Sequence, residues 1–222
     1  VLGKSVKVAV AALVAAGALA GCSGGTAKAG TAAVVGDDRI TVTSLSQTVR
    51  DWREQFKDDP MANRMRAGSV DPAEGMGEDS GESDLRDALT LLVNFHVAAK
   101  MAASEGVAVP DGRTDEAVDL LNQKGGAESI TLASGLPRDK TRDLARFLAT
   151  QRLVMQRLGA DGNPQSLQTA VAGKRWNDLF RSTADGLHIE VNPRYGTFDP
   201  VKGNVGPVLY RLSTPESGID RT

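Results

Sequence analysis

TAAVVGDDRITV, residues 31–42, is the stretch on which the reading of this chain turns. Ala32 to Val35 and Arg39 to Val42 are short β-prone arms, and Gly36-Asp37-Asp38 between them supplies the residues a tight turn requires. The pattern predicts a β-hairpin. Carboxylates side by side at a hairpin tip point apart, so Asp37 and Asp38 are read as turn residues and not as an acid/base pair. Leu45, Val49, Trp52 and Phe56 follow at helical spacing, with Thr43 or Ser44 placed to cap the helix.

C-terminal to that helix the periodicity lapses. Residues 58–83 mix Pro60, Gly68, Pro72, Gly75, Gly77 and Gly81 with Asp71, Glu74, Glu78, Asp79 and Glu82. This composition predicts a mobile acidic loop, a tolerated surface insertion rather than a flap over a binding surface. Helical spacing resumes from Leu85 to about Glu105, where Leu85, Leu89, Leu92, His96, Ala99 and Ala103 form one stripe and Leu91, Phe95, Ala98 and Ala102 widen it. A stripe that wide implies burial on more than one side.

Further helices are predicted from Thr114 to Gln123, briefly over Glu128 to Ala133, from Leu136-Pro137 to Leu158, and from Asn163-Pro164 to Gly186. Leu187 to Val191 then alternates as a strand does, turning His188 outward. A strand this late can pair with the early hairpin. The fold class expected is therefore mostly α: an irregular helical domain over residues 31–191, with a small β-sheet formed by the N-terminal hairpin and the late strand. Residues 192–222, rich in Pro and Gly, are expected to be an extended C-terminal tail.

N-terminal to the hairpin the chain changes character. Lys4 and Lys7 precede an apolar run, Val8 to Ala20, that is shorter than the roughly 20 residues a membrane-spanning helix needs. Residues 1–21 are read as a signal peptide. Leu19-Ala20-Gly21-Cys22 resembles the bacterial lipobox, which implies a thioether-linked diacylglycerol on Cys22 and cleavage ahead of it. Cys22 is the only cysteine, and an isolated thiol in an exported protein is better explained by lipidation than by redox chemistry. Residues 22–30, rich in Gly, Ala, Ser and Thr, form the lipidated flexible tether. Localisation at the extracytoplasmic face of the cell membrane is the expectation.

Removal of Lys4 and Lys7 with the signal takes the formal net charge from −2 to −4. Such a chain lacks the cationic excess that phosphate neutralisation demands, so nucleic acid is not expected as a partner.

The hairpin arm Ala33-Val34-Val35, the turn Gly36-Asp37-Asp38 and the second arm Arg39-Ile40-Thr41, leading into an amphipathic helix, resemble the opening of the SurA-type N-terminal chaperone domain. That domain is shared with PrsA-type foldases and related to a domain of trigger factor. The likeness extends over Thr31 to Val191 in the order and length of the helices. Val191-Asn192-Pro193-Arg194-Tyr195-Gly196-Thr197-Phe198-Asp199 looks like a segment near the end of small actinobacterial lipoproteins that carry this domain. The resemblance implies irregularly packed helices, a sheet completed by a late strand, and binding of unfolded or nascent exported polypeptides. The 36 residues after Gly186 are loop-like and too few for the parvulin-type isomerase domain that many such proteins carry, so prolyl isomerase activity is not expected.

Residues with catalytic potential are sparse. His96 lies on an apolar stripe and reads as a hydrogen-bonded core residue, and His188 as a surface one; neither has neighbours at metal-ligand spacing. No Gly-x-Ser-x-Gly elbow is present, and Gly173-Lys174-Arg175 fails the spacing of a phosphate-binding loop. The expectation is a protein with no catalytic residues, cofactor or metal. Met101 and Met155 on helices and Met61, Met65 and Met76 in the acidic segment could serve a repacking client surface, but core filling and loop composition account for them as well. Two functions remain: a non-catalytic chaperone-like lipoprotein, or a structural or adaptor lipoprotein that holds one envelope partner.

Overall fold

The computed structural model describes residues 29–68 and 80–207. The signal peptide, the lipobox Leu19-Ala20-Gly21, Cys22 and most of the tether lie outside the described residues, as do residues 69–79 of the expected acidic loop, Met76 among them, and residues 208–222 of the tail.

The hairpin forms as its sequence dictates. Strand β1 (Thr31–Val35) pairs antiparallel with β2 (Asp38–Thr41), bringing Val34 opposite Arg39 and Val35 opposite Asp38. Thr41 caps the helix α1 (Val42–Lys57) by accepting the Ser44 N–H at 3.0 Å, so the cap stands earlier than Thr43 or Ser44. Leu45, Thr48, Val49 and Trp52 are buried along one face of α1.

Residues 58–68 correct the acidic-loop expectation. Asp59 caps a two-turn helix, α2 (Pro60–Ala67), by accepting from the Met61 and Ala62 N–H groups, with Pro60 in the first turn where its missing donor costs nothing. Ala62 is fully buried beneath it. The following helix α3 (Ser80–Ser104) starts several residues before Leu85 and is the long central helix. Leu89, Val93, Val97 and Met101 of α3 are fully buried, and α3 packs against α1, β1, two later helices and the C-terminal hairpin. This agrees with the breadth of its apolar stripe.

Helix α4 (Asp111–Gln123) and the short α5 (Ala127–Ala133) come next. Pro110 precedes α4, and Thr114, expected as a cap, is instead buried inside it. Leu136 is buried, and Arg138–Lys140 makes one 3-10 turn before α6 (Thr141–Arg157). Helix α7 (Leu167–Gly186) is capped by Ser166, not Asn163. The displaced start follows from Asp161, whose Oδ1 accepts from Asn163 N–H, Ser166 Oγ and Thr169 Oγ1 and so shapes the approach as a turn.

The late strand β3 (Glu190–Val191) joins the free edge of β1, giving a three-stranded antiparallel sheet in the order β2-β1-β3 with Ala33 opposite Val191. It is shorter than the Leu187 to Val191 alternation suggested. The Leu187 carbonyl accepts the Gly36 N–H at 2.9 Å, and His188 takes a positive φ of 49° to bring the chain round to the sheet. Seven α-helices with two small sheets make this a mostly α fold among the described residues.

Residues 192–207 correct the extended tail. Asn192 locks onto β1, donating from its N–H to the Ala32 carbonyl and from Nδ2 to the Thr31 carbonyl. Its own Oδ1 and carbonyl receive Arg194 N–H and Tyr195 N–H, closing a turn that buries Tyr195. Strands β4 (Thr197–Asp199) and β5 (Asn204–Gly206) then form a second hairpin. It is pinned to α3 where Val205 N–H donates to Thr90 Oγ1 and Asn94 Nδ2 donates to the Gly203 carbonyl. The packed body therefore runs past Val191 to the second hairpin.

Candidate functional site

Helix α6 has a hollow on each side. One hollow, about 390 Å³, lies between α3 and α6. Its α3 wall is set by helical spacing: Leu92, Phe95, Ala99, Ala102 and Ala103 share the stripe, and the alanines leave room that larger side chains would fill. Phe147 from α6 meets Phe95 with ring centroids 5.4 Å apart and planes tilted by 43°, forming an apolar floor. Val107 and Val109, on the link after α3, close one end.

Polar groups rim this hollow. His96 Nδ1 stands 3.3 Å from Asp38 Oδ2, and Lys100 Nζ stands 3.6 Å from the same oxygen. His96 is thus a half-exposed rim residue and not a core histidine, because the start of β2 brings Asp38 to its edge of α3. On the α6 side Arg146 donates to the Val109 carbonyl and pairs with Asp111, while Asp143 pairs with Lys140. These exposed pairs contribute little stability individually. Their effect is to frame an apolar strip with mixed charge.

The second hollow, about 290 Å³, lies between α4 and α6, floored by Leu121, Leu148 and Ala149. Both hollows depend on how α6 is held, and a polar cluster beneath α2 contributes to that. Asp59 is buried and accepts from Ser129 Oγ of α5 at 3.0 Å and from Arg138 Nη2 at 3.3 Å, just before α6. Hydrogen bonds led by the Ala62 N–H hold its carboxyl below the usual value of 3.8, against the opposing effect of burial.

The sequence-derived candidates separate in space. Asp37 sits in the first hairpin turn and Asp38 opens β2, His188 is exposed at the end of α7, and Gly173-Lys174-Arg175 lies within α7. Only Asp38 and His96 are brought together. Among the described residues no group of three or more His, Cys, Asp or Glu side chains is placed to hold a metal ion. No helix of the described residues is long and apolar enough to cross a membrane. Met101 belongs to the core and Met155 packs against it, while Met61 and Met65 lie on α2, so none of these four described methionines lines either hollow. Sequence reading missed the pairing of Phe95 with Phe147. Phe95 stood on a recognised apolar stripe and Phe147 within a predicted helix, but nothing local shows that the two meet beside a gap.

Compared with known proteins, the chain matches no family model, no curated protein and no solved structure.

Proposed function

We propose that this protein is a membrane-anchored, extracytoplasmic chaperone-like lipoprotein that holds unfolded or nascent exported polypeptides without catalysis. The observation that carries the reading is the α3–α6 hollow, where Phe95, Phe147 and Leu92 offer an apolar strip within a rim of mixed charge. An unfolded chain displays apolar side chains that gain about 1.5–3 kcal/mol each when fully buried. A shallow strip captures only part of that for one or two side chains, so each encounter is weak and reversible. Weak contact with little sequence preference suits a holder of many clients.

Two further features support the reading. The order of hairpin, helices and returning strand is the order that the SurA-type resemblance implies. The lipobox-like Leu19-Ala20-Gly21-Cys22 would supply a lipid anchor, and the small, polar residues 23–30 a tether from it to the sheet. Two or three acyl chains hold a protein at a membrane far more stably than one. The body would then work where exported chains emerge.

The test uses residues 23–222, which contain every described residue. Suppression of aggregation of an unrelated chemically unfolded protein is expected, and Phe147→Ser is expected to weaken it severalfold while far-UV circular dichroism stays unchanged. Absence of suppression, together with retention of one stoichiometric envelope partner, would replace this function with that of a specific adaptor.

A further inference from the structure

The α4–α6 hollow differs from its neighbour in charge. Along α4 and its C-terminal cap, Arg113, Ala117, Leu120, Leu121 and the cap residue Lys124 stand at i, i+4, i+7, i+8 and i+11, so they form one stripe about three turns long. Across the gap, α6 contributes Leu148, Leu153 and Arg152. Leu120 is 41% exposed, although it sits in the middle of an apolar strip. Glu116 is the acidic residue of the rim, and it is engaged by Arg113 at 2.8 Å. Lys124 and Arg152 have no ion-pair partner among the described residues. An apolar strip flanked by two uncompensated cations on facing helices is complementary to an anionic amphiphile.

The shape narrows that class. Both walls are helices whose backbone groups are internally bonded, so an extended peptide laid between them finds no backbone partners for its own N–H and C=O groups. A helix arrives with those groups already paired and fits between two helices by interdigitation of side chains. The geometry points to the α4–α6 hollow as a docking groove for an acidic amphipathic helix of a partner protein. Leucines at i, i+3, i+4 and i+7 of that helix lie over Leu120 and Leu121, and its flanking carboxylates meet Lys124 and Arg152. The groove is distinct from the α3–α6 hollow and does not depend on the chaperone reading.

The probe is a fluorescein-labelled peptide of about 14 residues, long enough to match the roughly 20 Å of α4, with a Leu/Ala stripe flanked by Glu. A control peptide carries Lys in place of Glu. Titrated with residues 23–222, the acidic peptide is expected to bind in the micromolar range and to become helical by circular dichroism. The Lys peptide is expected to bind at least about tenfold more weakly. Lys124→Glu with Arg152→Glu should reverse the preference, and Leu120→Gln should weaken the acidic peptide about tenfold. All three positions are exposed, so folding is expected to survive, and the Phe147-dependent suppression of aggregation should be unchanged. Equal binding of both peptides, or binding of neither, overturns the proposal. So does binding of dodecanoate without the peptide, which assigns the groove to a lipid. Self-association abolished by Leu120→Gln, without peptide binding, overturns it in favour of a second copy of this chain.

Discussion

The indole of Trp52 reaches across the molecule from α1 and donates its Nε1–H to the Leu132 carbonyl of α5 at 2.7 Å, with both residues buried. Trp52 also stacks on Phe56 at 5.2 Å and lies under the Arg66 guanidinium at 4.9 Å, which is itself paired with Asp87. One side chain therefore joins the first helix, α2 and α5.

Trp52→Phe keeps most of the apolar volume and removes the donor. The Leu132 carbonyl still accepts the Gly135 N–H, so the buried acceptor is not left empty. A loss of about 1–2 kcal/mol is expected, less than the ~3–5 kcal/mol of Trp52→Ala. Urea unfolding followed by circular dichroism measures both, and equal losses would show that packing alone sets the value of this residue.

Asp59 makes stability depend on acid. Its folded-state pKa lies below the ordinary 3.8, so its contribution is complete above that pH and is lost as pH falls through the lowered value. Asp59→Ala should cost about 1–2 kcal/mol at neutral pH, from the lost helix cap and the bonds to Ser129 and Arg138. The gap between variant and parent should narrow in strongly acidic buffer. A gap that stays constant from pH 7 down to about pH 2 would contradict a role for the carboxylate charge.

Gly196 is held at φ 120°, and a Cβ there would run into the Gly206 carbonyl of the second hairpin. Gly196→Ala should destabilise by about 2–4 kcal/mol and detach β4–β5 from α3. Gly203→Ala is the comparison: its φ is also positive, but the added Cβ meets only the Phe180 ring edge at ordinary contact distance. A smaller loss of about 1–2 kcal/mol follows. Thermal unfolding of the pair separates collision from backbone strain, and the reverse order would contradict the assignment.

Cys22→Ala tests the proposed anchor. Expressed in a bacterial host, the variant should accumulate unprocessed or be released from membranes, whereas the parent should label with radioactive palmitate. Normal processing with full membrane retention of the variant would remove lipidation from the proposed function.

Local chemistry determined much of this protein without any knowledge of its fold. Alternation about Gly36-Asp37 gave the hairpin, 3.6-residue spacing gave α1, α3, α6 and α7, and the alternation ending at Val191 marked the strand that completes the sheet. Helix starts were less legible, because the cap is whichever nearby oxygen can reach a free N–H, and Thr41 and Ser166 won over their neighbours. The Asp59-Pro60 start of α2 was present in the sequence but lay beside a run of Pro, Gly and acid that reads as loop. Tertiary structure alone decided the rest. The second hairpin exists because Asn192 bonds to β1, Gly196 permits close backbone approach, and α3 offers Thr90 and Asn94 to receive it. The two hollows beside α6 are gaps between elements distant in sequence. A residue's periodicity specifies which face it occupies, but only the packed neighbours decide whether that face is covered or left open.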